Sequence, residues 1–198
     1  MFIELTEILR CPRDHPESYL VAAPIAMDGR RIVRGVIGCP ECKAEFPIVD
    51  GVAYFAERAK AARPPAAAPA YDVAALTAFL DLGGPGGYAV LVGAAARFGA
   101  AIVAAVPGVH FVAVNPPPGV SAGPQLSVLV AGALPMKSSA VRAVALGADH
   151  AAADWLREAT RILLPGLRLV VEDERAGPEG ISELARGGGL FVGEKGRS

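Results

Sequence analysis

The sequence predicts an α/β protein in two parts: a small hairpin-rich module built around a metal site, then a doubly wound, mostly parallel sheet. Three observations carry this reading. Strand-like pairs with Asp-Gly turns, at Asp28-Gly29 and Asp50-Gly51, flank the knuckle Cys39-Pro40-Glu41-Cys42. From Tyr71 onward, strand-like and helix-like runs alternate at the spacing of βαβ units. Between the two, residues 57–70 are dominated by Ala and Pro, and Pro64-Pro65 forbids a continuous helix. The expected division is therefore a module at 1–56, a linker at 57–70 and an α/β domain at 71–198.

Composition bounds what such a chain can do. Its 198 residues suffice for one medium domain or for a small module plus a larger one, and 53% hydrophobic against 20% charged residues implies packed cores, not disorder. A formal net charge of -1 with no long Lys or Arg run argues against direct nucleic-acid binding, which needs clustered cations on phosphates. The start, Met1-Phe2-Ile3-Glu4-Leu5, lacks the basic and apolar regions of a signal peptide. The Ala/Val-rich stretch 90–114 is interrupted by Arg97, Pro107-Gly108 and His110, so no membrane span is expected. Three cysteines cannot close a disulfide framework, and their spacing suits a metal, which places the chain in a reducing cytoplasm.

Taken in order, residues 5–9 form a helical turn that delivers Cys11, with Ile8 and Leu9 inward. Strands are expected at 19–26 and 31–37, then at 45–49 and 52–55 across the knuckle. An amphipathic helix at 73–82 ends in Gly83-Gly84-Pro85-Gly86-Gly87, a plain connector because it precedes a strand instead of joining strand to helix. A buried strand at 88–92 and a small-residue helix at 98–106 follow. Further strands are expected at 110–114, 126–130 and 141–146. Asp149 caps a helix over 150–164, whose Trp155, Leu156, Ala159, Ile162 and Leu163 share one face; Pro165-Gly166 ends it before a strand at 167–171. A short helix at 181–185 and a strand at 190–192 close the chain.

The chemistry sits first at the knuckle. Two thiols two residues apart point at one ion, and Cys11-Pro12-Arg13-Asp14-His15 supplies the opposite half of a three-thiolate, one-imidazole site. Four protein ligands make a closed, structural centre, and a metal commonly supplies the stability that a module of this size lacks. A redox role for the pair is disfavoured, because no long helix follows whose amino terminus would lower a thiol pKa.

Residues 2–55 resemble the small zinc-ribbon methyltransferase-activator family, whose members serve as the common small subunit of tRNA, rRNA and release-factor methyltransferases, with short bacterial relatives of the YcaR type. The resemblance rests on Leu5-Thr6-Glu7-Ile8-Leu9-Arg10-Cys11-Pro12, Cys39, Cys42 and Phe46-Pro47-Ile48-Val49-Asp50-Gly51-Val52. It implies structural zinc on Cys11, Cys39 and Cys42. The family's further cysteine, two residues after the first, is replaced by Asp14 with His15 next, so His15 is the expected fourth ligand and Asp14 the alternative.

Residues 71–193 resemble a class I S-adenosylmethionine-dependent methyltransferase of Rossmann-like type. The matching stretches are Leu134-Pro135-Met136 running into 137–144, and Trp155-Leu156-Arg157-Glu158 running through Pro165-Gly166 into 167–171. The cofactor positions depart from that pattern. The glycine-rich turn after the first strand reads Gly93-Ala94-Ala95-Ala96-Arg97, its opening acid is Leu91, and the ribose-binding carboxylate after the second strand is Asn115. Gly93 and Asn115 are the residues left to hold a cofactor, and together the losses argue against binding S-adenosylmethionine at ordinary concentrations.

The remaining features take bland readings. Asn115-Pro116-Pro117 follows the second strand and not the fourth, and is coincidental; His150 is expected to face solvent, His110 has no evident partner, and Trp155 packs in the core. No residue is assigned a catalytic role. The expected function is a zinc-holding, non-catalytic binding or stabilising subunit with a protein partner or as a homo-oligomer. The alternatives are an active methyltransferase with an atypical cofactor site and a fused activator, or a component of a larger assembly docked through its Ala-rich helices.

Overall fold

A single eleven-stranded sheet runs through the computed structural model, which describes residues 1–56 and 70–197. The expected linker, apart from Ala70, lies outside the described residues. A 3-10 turn at Ile3–Glu7 is followed by hairpin strands β1 (Val21–Asp28) and β2 (Arg31–Gly38), then β3 (Glu45–Val49) and β4 (Val52–Tyr54). Each turns back antiparallel on the one before it, β1–β2 and β3–β4 through the Asp-Gly turns and β2–β3 through the knuckle.

The second part begins with helix α1 (Val73–Leu80), capped by Asp72, whose carboxylate accepts the Ala75 N–H at 2.9 Å. Strand β5 (Tyr88–Val92) leads through a 3-10 turn at Gly93–Phe98 into helix α2 (Gly99–Ala105). Strands β6 (His110–Val114), β7 (Leu126–Val130) and β8 (Val141–Leu146) follow. Next come a 3-10 turn at Ala148–His150, helix α3 (Ala153–Ile162) and strands β9 (Leu163–Val171), β10 (Ile181–Gly187) and β11 (Leu190–Lys195).

The strand order is β1-β2-β3-β4-β7-β6-β5-β8-β9-β11-β10. From β4 to β9 all neighbours are parallel, and β11 enters antiparallel against β9. The sheet is doubly wound and Rossmann-like: the chain steps outward from β5 through β6 to β7, then reverses to β8 on the other side. Ligands of such sheets bind at the carboxyl ends of the strands where the order reverses, so the crevice lies beyond Val92, Val114 and Leu146.

The hairpin strands do not stand apart from this sheet. Val52, Ala53 and Tyr54 of β4 pair in parallel with Val128, Leu129 and Val130 of β7, and Phe55 N–H extends the ladder to Val130 O at 2.7 Å. Leu5, Leu9, Ile37 and Phe46 share one continuous core with Val90, Val112, Leu146 and Ile162. On the other face, Leu76 and Leu80 of α1, Ile102 of α2 and Val106 just after it cover Leu91, Phe111 and Ala145.

Three expectations near the carboxyl end are corrected. Helix α3 stops at Ile162, so Pro165-Gly166 lies inside β9 and does not end the helix. Val141 pairs with Leu163 and Ala143 with Arg168, so the intervening residues bulge out, and a bulge tolerates a proline that no ladder could. Residues 181–187 form β10, not a helix, because Gly187, Gly188 and Gly189 turn at positive φ and lay the segment along β11. Asp149 does not cap α3: its N-cap is Ala152, with no side-chain bond.

Candidate metal centre and crevice

One knuckle, between β2 and β3, and one loop, ahead of β1, assemble the metal-ligating groups. Cys39 leaves β2 and its knuckle closes through Cys39 N–H to Ala44 O at 2.9 Å and Lys43 N–H to Cys39 O at 3.0 Å. Cys11 is positioned by its N–H on Ser18 O at 3.2 Å and by the bridge between Arg10 and Tyr19. Cys11 Sγ lies 3.7 Å from Cys42 Sγ, and Cys39 Sγ lies 3.5 Å from His15 Nε2. All four ligand atoms fall within 4.8 Å of one another. A tetrahedral zinc ion with its usual bond lengths sets sulfurs about 3.8 Å apart and sulfur about 3.6 Å from nitrogen, so the donor set fits that ion.

The imidazole is also oriented for ligation. His15 Nδ1 is 2.7 Å from Pro16 O, and a carbonyl only accepts, so Nδ1 carries the proton and Nε2 keeps its lone pair for a metal. Cys11 and Cys39 are buried, while Cys42 is exposed. Burial pushes the Cys11 thiol up to about 11. Burial works the same way on Cys39, but N–H groups of Cys42 and Glu41 aimed at its sulfur outweigh it and bring that thiol down to about 6. Such backbone donors favour a thiolate where a cation would sit.

The crevice at the reversal point is occupied by the chain itself. Gly93 turns at φ +58, and a Cβ there would stand 2.2 Å from His150 Nδ1 and 2.3 Å from Asp149 Oδ1. Asp149 Oδ1 accepts the Ala94 N–H at 2.9 Å, a donor that opens the turn after β5. Burial works to raise the Asp149 carboxyl, but bonding to His150 and to the Ala94 N–H outweighs it and holds the carboxyl below its ordinary range. His150 is buried, not solvent-facing as expected, and packs edge-on to Trp155 with ring centroids 4.6 Å apart. Its Nδ1 stands 3.2 Å from Asp149 Oδ2.

Asn115, at φ +51, spends its amide on the next strand end. Nδ2 donates to Ala131 O at 2.8 Å, Oδ1 accepts from Ala131 N–H at 3.0 Å, and Nδ2 also lies 3.3 Å from His150 Nε2. Ala95 and Ala96 are buried, and Arg97 turns to Tyr71, Phe98 and Glu172. Glu172, buried at the end of β9, receives Arg97 Nη1 and the Tyr71 hydroxyl on Oε1, each at 2.5 Å. Burial first, then the Glu172 carboxylate, drive the Tyr71 phenol far above its usual pKa.

The sequence singles out Gly93 and Asn115 but does not show what they touch. An acid directly after a buried strand, as at Glu172, was the available signal for the Arg97 pairing. Nothing local announces Asp149 on Ala94, fifty-five residues away. His110, expected to be unpartnered, lies 2.9 Å from Ser127 Oγ and stacks on Phe2 at 4.5 Å. The Gly83–Gly87 connector has the polarity opposite to a phosphate cradle: Gly83 O, Gly84 O, Pro85 O and Gly86 O all accept from the Arg142 guanidinium. No helix among the described residues is long and apolar enough to cross a membrane.

Fold and site together define a Rossmann-like α/β protein with hairpins added to its sheet edge, carrying a cluster of three cysteines and a histidine that could hold a metal ion. Residues 3–51 match the model of the Trm112p-like protein family, so the amino-terminal module is Trm112p-like. A search of the curated proteins finds no match. Similar solved structures include the antibiotic-resistance methyltransferase Kmr, at 17% identity and TM-score 0.44 over 65% of this chain and 94% of that one. Another is the Haloferax volcanii complex of the Trm112 methyltransferase activator with a methyltransferase, at 23% identity and TM-score 0.39 over 50% of each chain. A third is geranyl diphosphate C-methyltransferase from Streptomyces coelicolor, at 19% identity and TM-score 0.39 over 50% of this chain and 41% of that one. The chain spans half the length or less of the latter two.

Proposed function

We propose that this chain is a non-catalytic, zinc-holding cytoplasmic protein, a Trm112p-like module joined to a methyltransferase-like domain, that acts as a binding or stabilising subunit for a protein partner. One observation carries the reading: both functions of the Asn115 amide, at the position left to hold a cofactor ribose, are bonded to the backbone of Ala131. With Nδ2 on Ala131 O and beside His150 Nε2, and Oδ1 already accepting from Ala131 N–H, the amide keeps one uncharged acceptor site for a ligand where a carboxylate would offer several charged ones. The buried Ala95 and Ala96, and the engagement of Arg97 with Glu172, support the same reading. Zinc on Cys11, His15, Cys39 and Cys42 is supported by four ligand atoms within 4.8 Å of one another, and its role is to hold the hairpins.

Isothermal titration of the purified chain with S-adenosylmethionine tests this directly. The expected result is no saturable heat; saturation at micromolar ligand would overturn the non-catalytic reading and restore an active methyltransferase.

A further inference from the structure

The loss of ligand-binding groups at Ala95, Arg97 and Asn115 is one property of the crevice; the presence of an occupant is another. The 3-10 turn Ala148–His150 crosses the carboxyl end of β5, held by Gly147 N–H on Val92 O at 2.9 Å and His150 N–H on Gly147 O at 2.9 Å. It brings a carboxylate and a planar heteroaromatic ring to the groups that border the crevice. The carboxylate takes the Ala94 N–H, and the ring takes the Asn115 amide and the Trp155 edge. Gly147 is crowded in turn: a Cβ there would stand 2.5 Å from both Ala94 N and Asp149 Oδ1. Gly93 is thus crowded by the pair itself, and Gly147 by Ala94 as well as by Asp149.

We propose that Asp149 and His150 form a built-in occupant of the crevice, an internal plug whose carboxylate and imidazole stand where the carboxylate tail and a polar ring of an amino-acid-bearing nucleoside would stand. The inference rests on the methyltransferase-like reading of the domain, which supplies the ligand class. It adds that exclusion is active: a tethered ligand, present at saturating effective concentration, competes with any free one. Removing the plug exposes the Ala94 N–H and leaves space beside Gly93, while Asn115 stays bonded to Ala131.

The test is binding of S-adenosylhomocysteine, by isothermal titration, to the full-length chain and to its Asp149→Ala/His150→Ala double variant. His150→Ala alone, which keeps the carboxylate on Ala94, serves if the double variant fails to fold. The expected outcome is at least a tenfold gain in affinity for the variant over the unaltered chain. Equal, saturable binding to both proteins overturns the plug and the non-catalytic reading together. Absence of binding to both, with the variant folded, overturns the plug alone, because the loss of recognition groups then suffices to explain it.

Discussion

His110 shows how a residue with no visible role in the sequence becomes a stability determinant through burial. Desolvation, and then the neighbouring Met1 amino group, depress its pKa from 6.5 to about 4. Between those values the unfolded chain takes up a proton and the folded chain does not. Stability is therefore greatest above pH 6.5 and falls as pH drops toward 4, by on the order of 2–3 kcal/mol from this group. Urea midpoints measured across that window are expected to decline with acid, and His110→Gln is expected to flatten the decline. An unchanged slope in the variant would assign the effect elsewhere. The sequence singles out Gly93 and Asn115 by their place after β5 and β6, yet the groups they meet, Asp149, His150 and Ala131, lie beyond other strand ends. Residue type states what a side chain can bond to, and the fold states what it does bond to.

Among elements, the knuckle module is the one whose stability is expected to depend on chemistry outside the apolar core. Its hairpins are mostly exposed on β1, with Val21, Ile25 and Met27 all open to solvent. Cys11 and Cys39 anchor opposite sides of it. Chelation is expected to lower the thermal midpoint by about 10 °C or more, since structural zinc contributes several kcal/mol and each kcal/mol moves a chain of this size by about 2–4 °C. Cys39→Ser should reproduce the drop and remove the chelator's effect; a midpoint indifferent to chelator would show that no bound ion supports the hairpins. Hairpin and strand elements were legible because Asp-Gly turns and apolar runs act locally. Strand β10 was not: Ile181-Ser182-Glu183-Leu184-Ala185 carries helix-forming residues, and only pairing with β11 makes it extended.

At the scale of the whole molecule, the sheet crosses the boundary that composition suggests. The β4–β7 ladder, the Leu9–Met136 bridge and the bonds Arg10 N–H to Pro135 O at 3.0 Å and Lys137 N–H to Ile8 O at 2.8 Å join 1–56 to the α/β part. With a shared apolar core beneath them, these contacts are expected to hold without chain continuity. A protease site placed within 57–69 and cleaved in the folded protein should leave both fragments co-eluting on size exclusion, with separation only in denaturant. Fragments that separate in native buffer would show that the ladder is too weak to hold them.

The sequence by itself determined the two kinds of element, the parallel sheet and the cysteine-histidine set, because turn chemistry, hydrophobic period and ligand spacing are written over a few neighbouring residues. Tertiary structure alone decided that the hairpins extend the sheet, that His150 is buried, and that Asp149 and Asn115 bond inward. Those outcomes depend on which strand ends meet at the reversal of the sheet, and contacts between residues far apart in the chain leave no local trace.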